Sequence, residues 1–429
     1  MKNQELLRFI EACKTPYQTV TWVGGLLEKA GYHHLSEREP WSFSAGDRCF
    51  VTRNGSSLLA FRVPTPDFAG FQMAAAHCDS PCLKVKEHAE VPGGGYVQLS
   101  TEVYGGMIRS SWLDRPLSVA GRVLVQTEAG VETRPVDLDE DLLVIPSVAI
   151  HMNRKVNDGV PMNPAVDLLP LYGTEKRKDT FRKRIAAAVG TEENQLLTWD
   201  LCVYNRQRGT EWGEFISAPR LDDLQCAYAG LTAFLQAGPS QSVPVYCLFD
   251  NEEVGSLTQQ GAASTFLPDT LLRISESCGK TASQYRQAVA SSFLVSCDNA
   301  HAAHPNHPEY ADKNHSVLMN RGVVVKYNAN QKYTSDAVSS AIFQVVCREA
   351  GVPVQLYANR ADLPGGSTLG NLLNAQVSLH TVDVGLPQLA MHAAYETAGA
   401  DDTAYLIRAL AVFYEKTLQE KTEGVYRLI

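Results

Sequence analysis

The sequence predicts an α/β domain that is interrupted by a β-rich insertion and then resumes. Near both ends of the chain, apolar β-rich runs stand among helical stretches, the texture of a sheet covered on both faces. Between about Val85 and Cys202 the texture differs. Short β-type runs follow one another across Gly- and Pro-rich turns such as Pro92-Gly93-Gly94-Gly95, not in alternation with helices. Finally, four of the α/β runs end on His, Asp or Glu, as strands bordering a binding crevice do.

In chain order, Thr15-Pro16 is a cap and first-turn pair for a helix carrying Val20, Val23 and Leu27 at helical spacing, stopped by Gly31. Arg48–Arg53 and Ser57–Val63 read as strands of a hairpin around the two-residue turn Asn54-Gly55. Gly70–Ala76 is a buried strand that delivers His77 at its carboxyl end. In the insertion, Tyr96–Val103, Leu117–Gln126 and Leu142–Ala149 read as strands. Glu175–Arg184 holds six cationic residues and reads as a solvated helix face, because no aromatic stacking series flanks it. From about Glu214, Val243–Phe249, Phe293–Cys297 and Gln376–Val384 are buried-strand runs, and Asp222–Gln236, Ser335–Ala350 and Asp401–Glu415 are helical.

Composition removes several function classes. The 429 residues are 45% hydrophobic and 20% charged, enough for a sizeable core. Lys+Arg number 38 against 47 Asp+Glu, a net of −9, which argues against a nucleic-acid surface. No apolar run reaches the roughly 18–20 residues of a membrane span. An acid at Glu5 stands where a signal peptide would build its apolar stretch. Ten thinly spread cysteines without a C-x-x-C pair read as free buried thiols in a reducing cytoplasm.

The chemistry lies at the strand ends. These are His77-Cys78-Asp79, Asp250-Asn251-Glu252-Glu253, Asp298, and Gly385-Leu386-Pro387 leading to His392, with Asp222-Asp223 opening a helix nearby. Two histidines and several carboxylates suit zinc, with cobalt or manganese as substitutes. One aspartate can bridge two metals about 3.5–4 Å apart, the geometry of two-metal hydrolases. In the Glu252-Glu253 pair, one carboxylate can bind metal while its neighbour takes the proton of the attacking water. These residues point to a metal hydrolase.

Five ordered motifs also carry a resemblance. They are His77-Cys78-Asp79-Ser80-Pro81, Ser217-Ala218-Pro219-Arg220-Leu221-Asp222-Asp223, Asp250-Asn251-Glu252-Glu253-Val254-Gly255-Ser256, Asp298 with Ala300-His301-Ala302-Ala303-His304-Pro305-Asn306, and Pro387-Gln388-Leu389-Ala390-Met391-His392. Together with Thr15-Pro16-Tyr17 and Asn330-Gln331-Lys332-Tyr333, the sequence resembles the aspartyl aminopeptidase family nearly end to end. The resemblance implies an α/β/α catalytic domain (1–84 and 206–429) with an inserted β domain (85–205) that drives assembly into a tetrahedral dodecamer. It implies one zinc on His77 and Asp298 and another on Glu253 and His392, bridged by Asp222. Glu252 would be the general base, and Asp79 would orient His77. Cys78 and Asp223 depart from the family's common Thr and Asn; neither is an expected ligand, though a carboxylate at 223 would alter local charge.

The same resemblance implies that Lys326 pairs with an acidic first residue of a peptide substrate, with Tyr333 and Met391 lining that pocket. His151 would be lent to the neighbouring subunit's site. The Gly365-Gly366-Ser367-Thr368 loop lacks Walker spacing and reads as a wall of the substrate pocket. His301, His304 and His307 sit beside prolines that prevent a shared helical face, and are expected to hydrogen-bond around Asp298 and its loop. The expectation is therefore a cytoplasmic two-zinc aminopeptidase acting on peptides, without nucleic-acid or membrane partners. Its rivals are a two-zinc deacylase on a related fold and an inactive oligomeric scaffold; the intact ligand set argues against the latter.

Overall fold

The computed structural model describes residues 3–159 and 161–429. Four buried strands, Val243–Phe249, Phe71–His77, Phe293–Cys297 and His380–Gly385, lie side by side and parallel. They form the centre of a nine-stranded sheet. Ser57–Arg62, Arg48–Arg53 and His33–Leu35 extend it on one side, and Val323–Tyr327 and Val354–Ala358 on the other. Alternate residues serve opposite faces. Met73, Ala75, Val245 and Cys247 pack with the helices Phe266–Ser277, Ala282–Ala290 and Leu369–Gln376. Ala74, Ala76, Tyr246 and Leu248 pack with Leu221–Gln236, Ala337–Glu349 and Asp402–Glu415. Both faces are covered, so the layering is α/β/α and the strands read as unbroken apolar runs.

A second, six-stranded antiparallel sheet comes from the inserted stretch. Its order is Gly130–Asp137, Leu117–Thr127, Leu196–Asn205, Cys82–Gly93, Tyr96–Tyr104, Leu171–Thr174. It has its own core, including Val97, Leu99, Val119, Val123, Phe181 and Trp199. The chain enters and leaves this sheet on neighbouring strands, with Lys84 opposite Cys202.

A third sheet was not among the sequence expectations. Its short strands are Thr210–Trp212, Phe215–Ala218, Glu396–Gly399, Pro387–Leu389 and Ala300–His301. Strands of two to four residues carry too little periodicity to read. They nevertheless link the segments that lead to Asp222, leave Asp298 and flank His392.

Other expectations need correction. The Arg48–Arg53 hairpin pairs Arg53 with Ser57, leaving a three-residue loop in which Asn54 and Gly55 take the left-handed conformation. Leu142–Ala149 is not a strand: only single bridges at Leu143 and Val144 form, and Pro146 has no N–H to continue a ladder. Gln376 ends a helix, and the strand begins at His380. Glu175–Arg184 is not one helix. Glu90 accepts the backbone N–H groups of Asp179, Thr180 and Phe181, and a new helix, Phe181–Ala188, starts there. The helix Gln4–Ala12 was not anticipated. All ten cysteines are unpaired, and nine are buried. Among the described residues, no helix is long and apolar enough to cross a membrane.

Candidate active site and metal centre

The carboxyl ends of the four parallel strands all lie on one edge of the nine-stranded sheet. His77 is the last residue of its strand, Asp250 follows Phe249, and Asp298 follows Cys297. Glu252 and Glu253 form a single 3-10 turn just beyond Asp250, and Asp222 lies in the first turn of Leu221–Gln236. His392 stands in the turn between Pro387–Leu389 and Glu396–Gly399.

Two ligand groups result. His77, Asp222 and Asp298 offer atoms within 4.8 Å of one another, and so do Asp222, Glu253 and His392. Asp222 belongs to both: Oδ1 lies 3.5 Å from His77 Nε2, and Oδ2 lies 3.3 Å from His392 Nε2. Glu253 Oε2 is also 3.3 Å from His392 Nε2. Asp222 Oδ1 and Glu253 Oε1 are buried and accept no hydrogen bond. Orphaned carboxylate oxygens are costly unless a cation satisfies them, and this nitrogen and oxygen set fits zinc.

Both imidazoles are held from behind. His392 Nδ1 faces the Gly106 carbonyl at 2.9 Å, and His77 Nδ1 faces the Asp79 carbonyl at 3.1 Å. A donor bond there leaves each Nε2 free to bind metal. The Asp79 carboxylate is farther from His77, at 3.4 Å. Its oxygens instead accept the N–H groups of Glu252 and Glu253, each at 3.1 Å, and the Tyr104 hydroxyl at 2.6 Å. Asp79 therefore orients His77 chiefly through its backbone and fixes the two glutamates through its side chain. Tyr104 and Gly106 belong to the inserted stretch, so that stretch forms one wall of the centre. Gly105 has φ +73, and a Cβ there would meet Glu253 Cβ at 3.1 Å.

Burial and crowding separate the acids. Burial lifts Glu252 to about 8, with Asp298, Asp79 and Asp222 adding to it and His77 opposing. Burial and Asp222 likewise raise Glu253 well above the usual carboxylate range. Asp222 moves down, because His392 and His77 outweigh the burial. His392 rises to about 10 against its burial, held by Asp222 and Glu253. Asp223 is raised well above its usual value, mainly by burial, and its Oδ2 accepts the His77 N–H at 3.2 Å. Burial thus disfavours the charged form of this carboxyl group, which stands where the family commonly has Asn.

The other sequence-selected residues divide. Lys326 is buried, with Nζ 2.8 Å from the Asp298 carbonyl, 3.6 Å from Asp298 Oδ2 and 5.1 Å from the Tyr333 ring centre. Thr368 is buried and donates to Asp383 Oδ1 at 2.7 Å, while Met391 is half-buried beside His392. His151 is exposed on a loop with Val148, Ile150 and Met152, and is in neither ligand group. His304 and His307 bond within the exposed loop that follows Asp298, to the Asn306 N–H and Glu309, as expected for the loop, and neither bonds Asp298 itself. Exposed His301 meets Tyr357 edge-on. Sequence reasoning missed Tyr104 and Glu396. Glu396 accepts the backbone N–H groups of His392 and Asp222, and backbone partners 4 and 174 residues away leave no side-chain motif.

Residues 9–414 match the family model described as Aminopeptidase I zinc metalloprotease (M18). The chain is 41% identical over 431 residues to a probable M18 family aminopeptidase 2 of Clostridium acetobutylicum, covering 96% of this chain and 100% of that one. A chain of the solved Ape4 and Nbr1 complex superposes with a TM-score of 0.93 at 34% identity, covering 96% of this chain and 85% of that one. The S. cerevisiae mApe1 dodecamer superposes at 0.83 with 28% identity, covering 96% and 95%. With this identity over this share of both chains, the protein belongs to the M18 family: it is an aminopeptidase of the zinc metalloprotease class.

Proposed function

We propose that this aminopeptidase holds two zinc ions per chain and releases an acidic first residue from peptides. One ion would sit on His77, Asp222 and Asp298, the other on Asp222, Glu253 and His392. The observation that carries the two-ion reading is Asp222, whose two oxygens face different histidines. Zinc at such a centre supplies Lewis acidity toward the scissile carbonyl and acidifies water. Cobalt or manganese would suit the same donors.

Glu252 is the base in this reading. Its raised proton affinity suits a group that takes a proton from water and returns it to the leaving amine. Asp79 holds the backbone under Glu252 and Glu253, so the two side chains keep separate tasks. Lys326 would supply the cation for an acidic side chain, with Tyr333, Met391 and Thr368 around it. One observation favours a second role for Lys326: its ammonium already serves the Asp298 carbonyl.

The inserted domain (85–205, with its sheet beginning at Cys82) would be the assembly module, and the subunits would form a dodecamer, as in the mApe1 relative. Exposed Val148, Ile150 and Met152 beside His151 support a loop that is covered by a neighbour, whose site would receive the imidazole. Ten unpaired thiols fit a reducing cytoplasm.

The test is a panel of aminoacyl chromogenic substrates, assayed on chelator-treated protein titrated with zinc, cobalt or manganese. Metal-restored hydrolysis fastest on Asp or Glu substrates supports the proposal. Preference for neutral first residues would overturn the specificity, and preference for acyl-amino acids over peptides would favour a deacylase.

A further inference from the structure

The third sheet ends in a carboxylate that the reaction scheme above does not use. Glu396 is 2% exposed, and its two oxygens serve two distant segments of the chain. Oε1 accepts the His392 N–H at 2.7 Å, and Oε2 accepts the Asp222 N–H at 3.0 Å. Glu396 opens its strand directly opposite Ala218, four residues before Asp222. Gln388 Nε2 lies 3.5 Å from Oε1, and Gln388 Oε1 accepts from Asn299 Nδ2 at 2.8 Å. The carboxylate is thus held at a fixed place in the sheet.

The two segments it holds are not in relaxed backbone. His392 has φ +67 and Ala390 φ +57, and Arg220, two residues before Asp222, has φ +58. Non-glycine residues persist in this region only where their surroundings over-determine them. A buried carboxyl group whose two oxygens meet both N–H groups is such a constraint, because it ties both segments to one side chain. Asp79 has the matching position across the centre, where it accepts the N–H groups of Glu252 and Glu253.

We propose that Glu396 is a positioning residue that sets the spacing between Asp222 and His392, and thereby the metal affinity of the site they share. It touches neither substrate nor the metal-facing atoms and acts through the two backbones. This inference rests on the reading of Asp222 and His392 as ligands of one ion.

The test is chelator competition for zinc by the full-length protein and Glu396→Gln, with melting curves of both proteins freed of metal. Glutamine keeps the shape but offers a single oxygen, so one of the two N–H groups is left facing an amide donor. Zinc affinity is expected to fall about 10- to 100-fold. Glu396→Asp, which keeps both carboxyl oxygens but is one methylene shorter, should fall in the same direction; it also carries the comparison if the glutamine variant does not fold. Unchanged zinc affinity in a folded variant would overturn the inference. So would a loss of metal-free stability with normal zinc affinity in the folded fraction, which would make Glu396 a brace of the fold alone. A parent protein that binds no zinc would remove the two-ion reading itself, a different failure.

Discussion

Asp222 faces His392 at 3.3 Å, Oδ2 against Nε2, while the far nitrogen of the same imidazole meets the Gly106 carbonyl of the inserted stretch at 2.9 Å. The inserted stretch is therefore more than an appendage: it fixes the ring that stands opposite the shared carboxylate. Asp222 and His392 come from different elements, and both are buttressed from outside the central sheet.

Glu252 and Glu253 should separate experimentally. Glu252→Gln keeps its shape and its backbone bond to Asp79 but cannot accept a proton. Turnover should fall by at least the 10²–10⁴-fold typical of a lost acid–base group, with metal content unchanged. Glu253→Gln should instead lose metal. Elemental analysis of both variants decides the matter, and equal metal loss would contradict the assignment.

Lys326→Ala discriminates between two uses of one ammonium. A charge-assisted bond to substrate worth about 1.5–3 kcal/mol corresponds to roughly a 10- to 150-fold loss on acidic substrates, with neutral ones little affected. Measuring kcat/KM on aspartyl and alanyl substrates separates this from the alternative. A uniform fall would mean that Lys326 works by holding Asp298.

His151 ties assembly to activity. Mixing inactive His151→Ala with inactive Glu252→Gln, under conditions that dissociate and rebuild the oligomer, should restore part of the activity. Some interfaces would then pair an intact Glu252 centre with an intact His151 from a neighbour. Full activity of His151→Ala by itself contradicts the sharing.

Asp223 has a signature in pH. Its folded value lies well above the ordinary 3.8 because of burial, with Asp298 and Asp222 adding to the shift. The stability it contributes is therefore complete below its unfolded value and is lost as pH rises through the folded one. Asp223→Asn removes that loss. Melts of metal-free protein should show the variant gaining on the parent as pH increases, and a gap independent of pH would refute the account.

The central strands were legible because both of their faces are covered. Val243–Phe249 and Phe293–Cys297 stand as unbroken apolar runs, and the polar residues after them mark the crevice. The same logic failed for Leu142–Ala149, which has the composition of a strand but has Pro146 within it. Gln376–Val384 merged a helix end with a strand because apolar content alone does not separate them. Within the site, the side chains of the two candidate ligand groups were readable as a constellation, whereas Glu396 was not. Its partners are main-chain groups brought together by strands too short to have a pattern.

The most direct test is the zinc content per chain of the purified protein and of Asp222→Asn, measured by elemental analysis after equilibration with zinc. A carboxylate shared by two ions predicts two zinc per chain in the parent and depletion at both positions in the variant, with hydrolysis lost in step. One zinc in the parent, or a variant that loses only one of two, would contradict the shared Asp222 at the centre of the account.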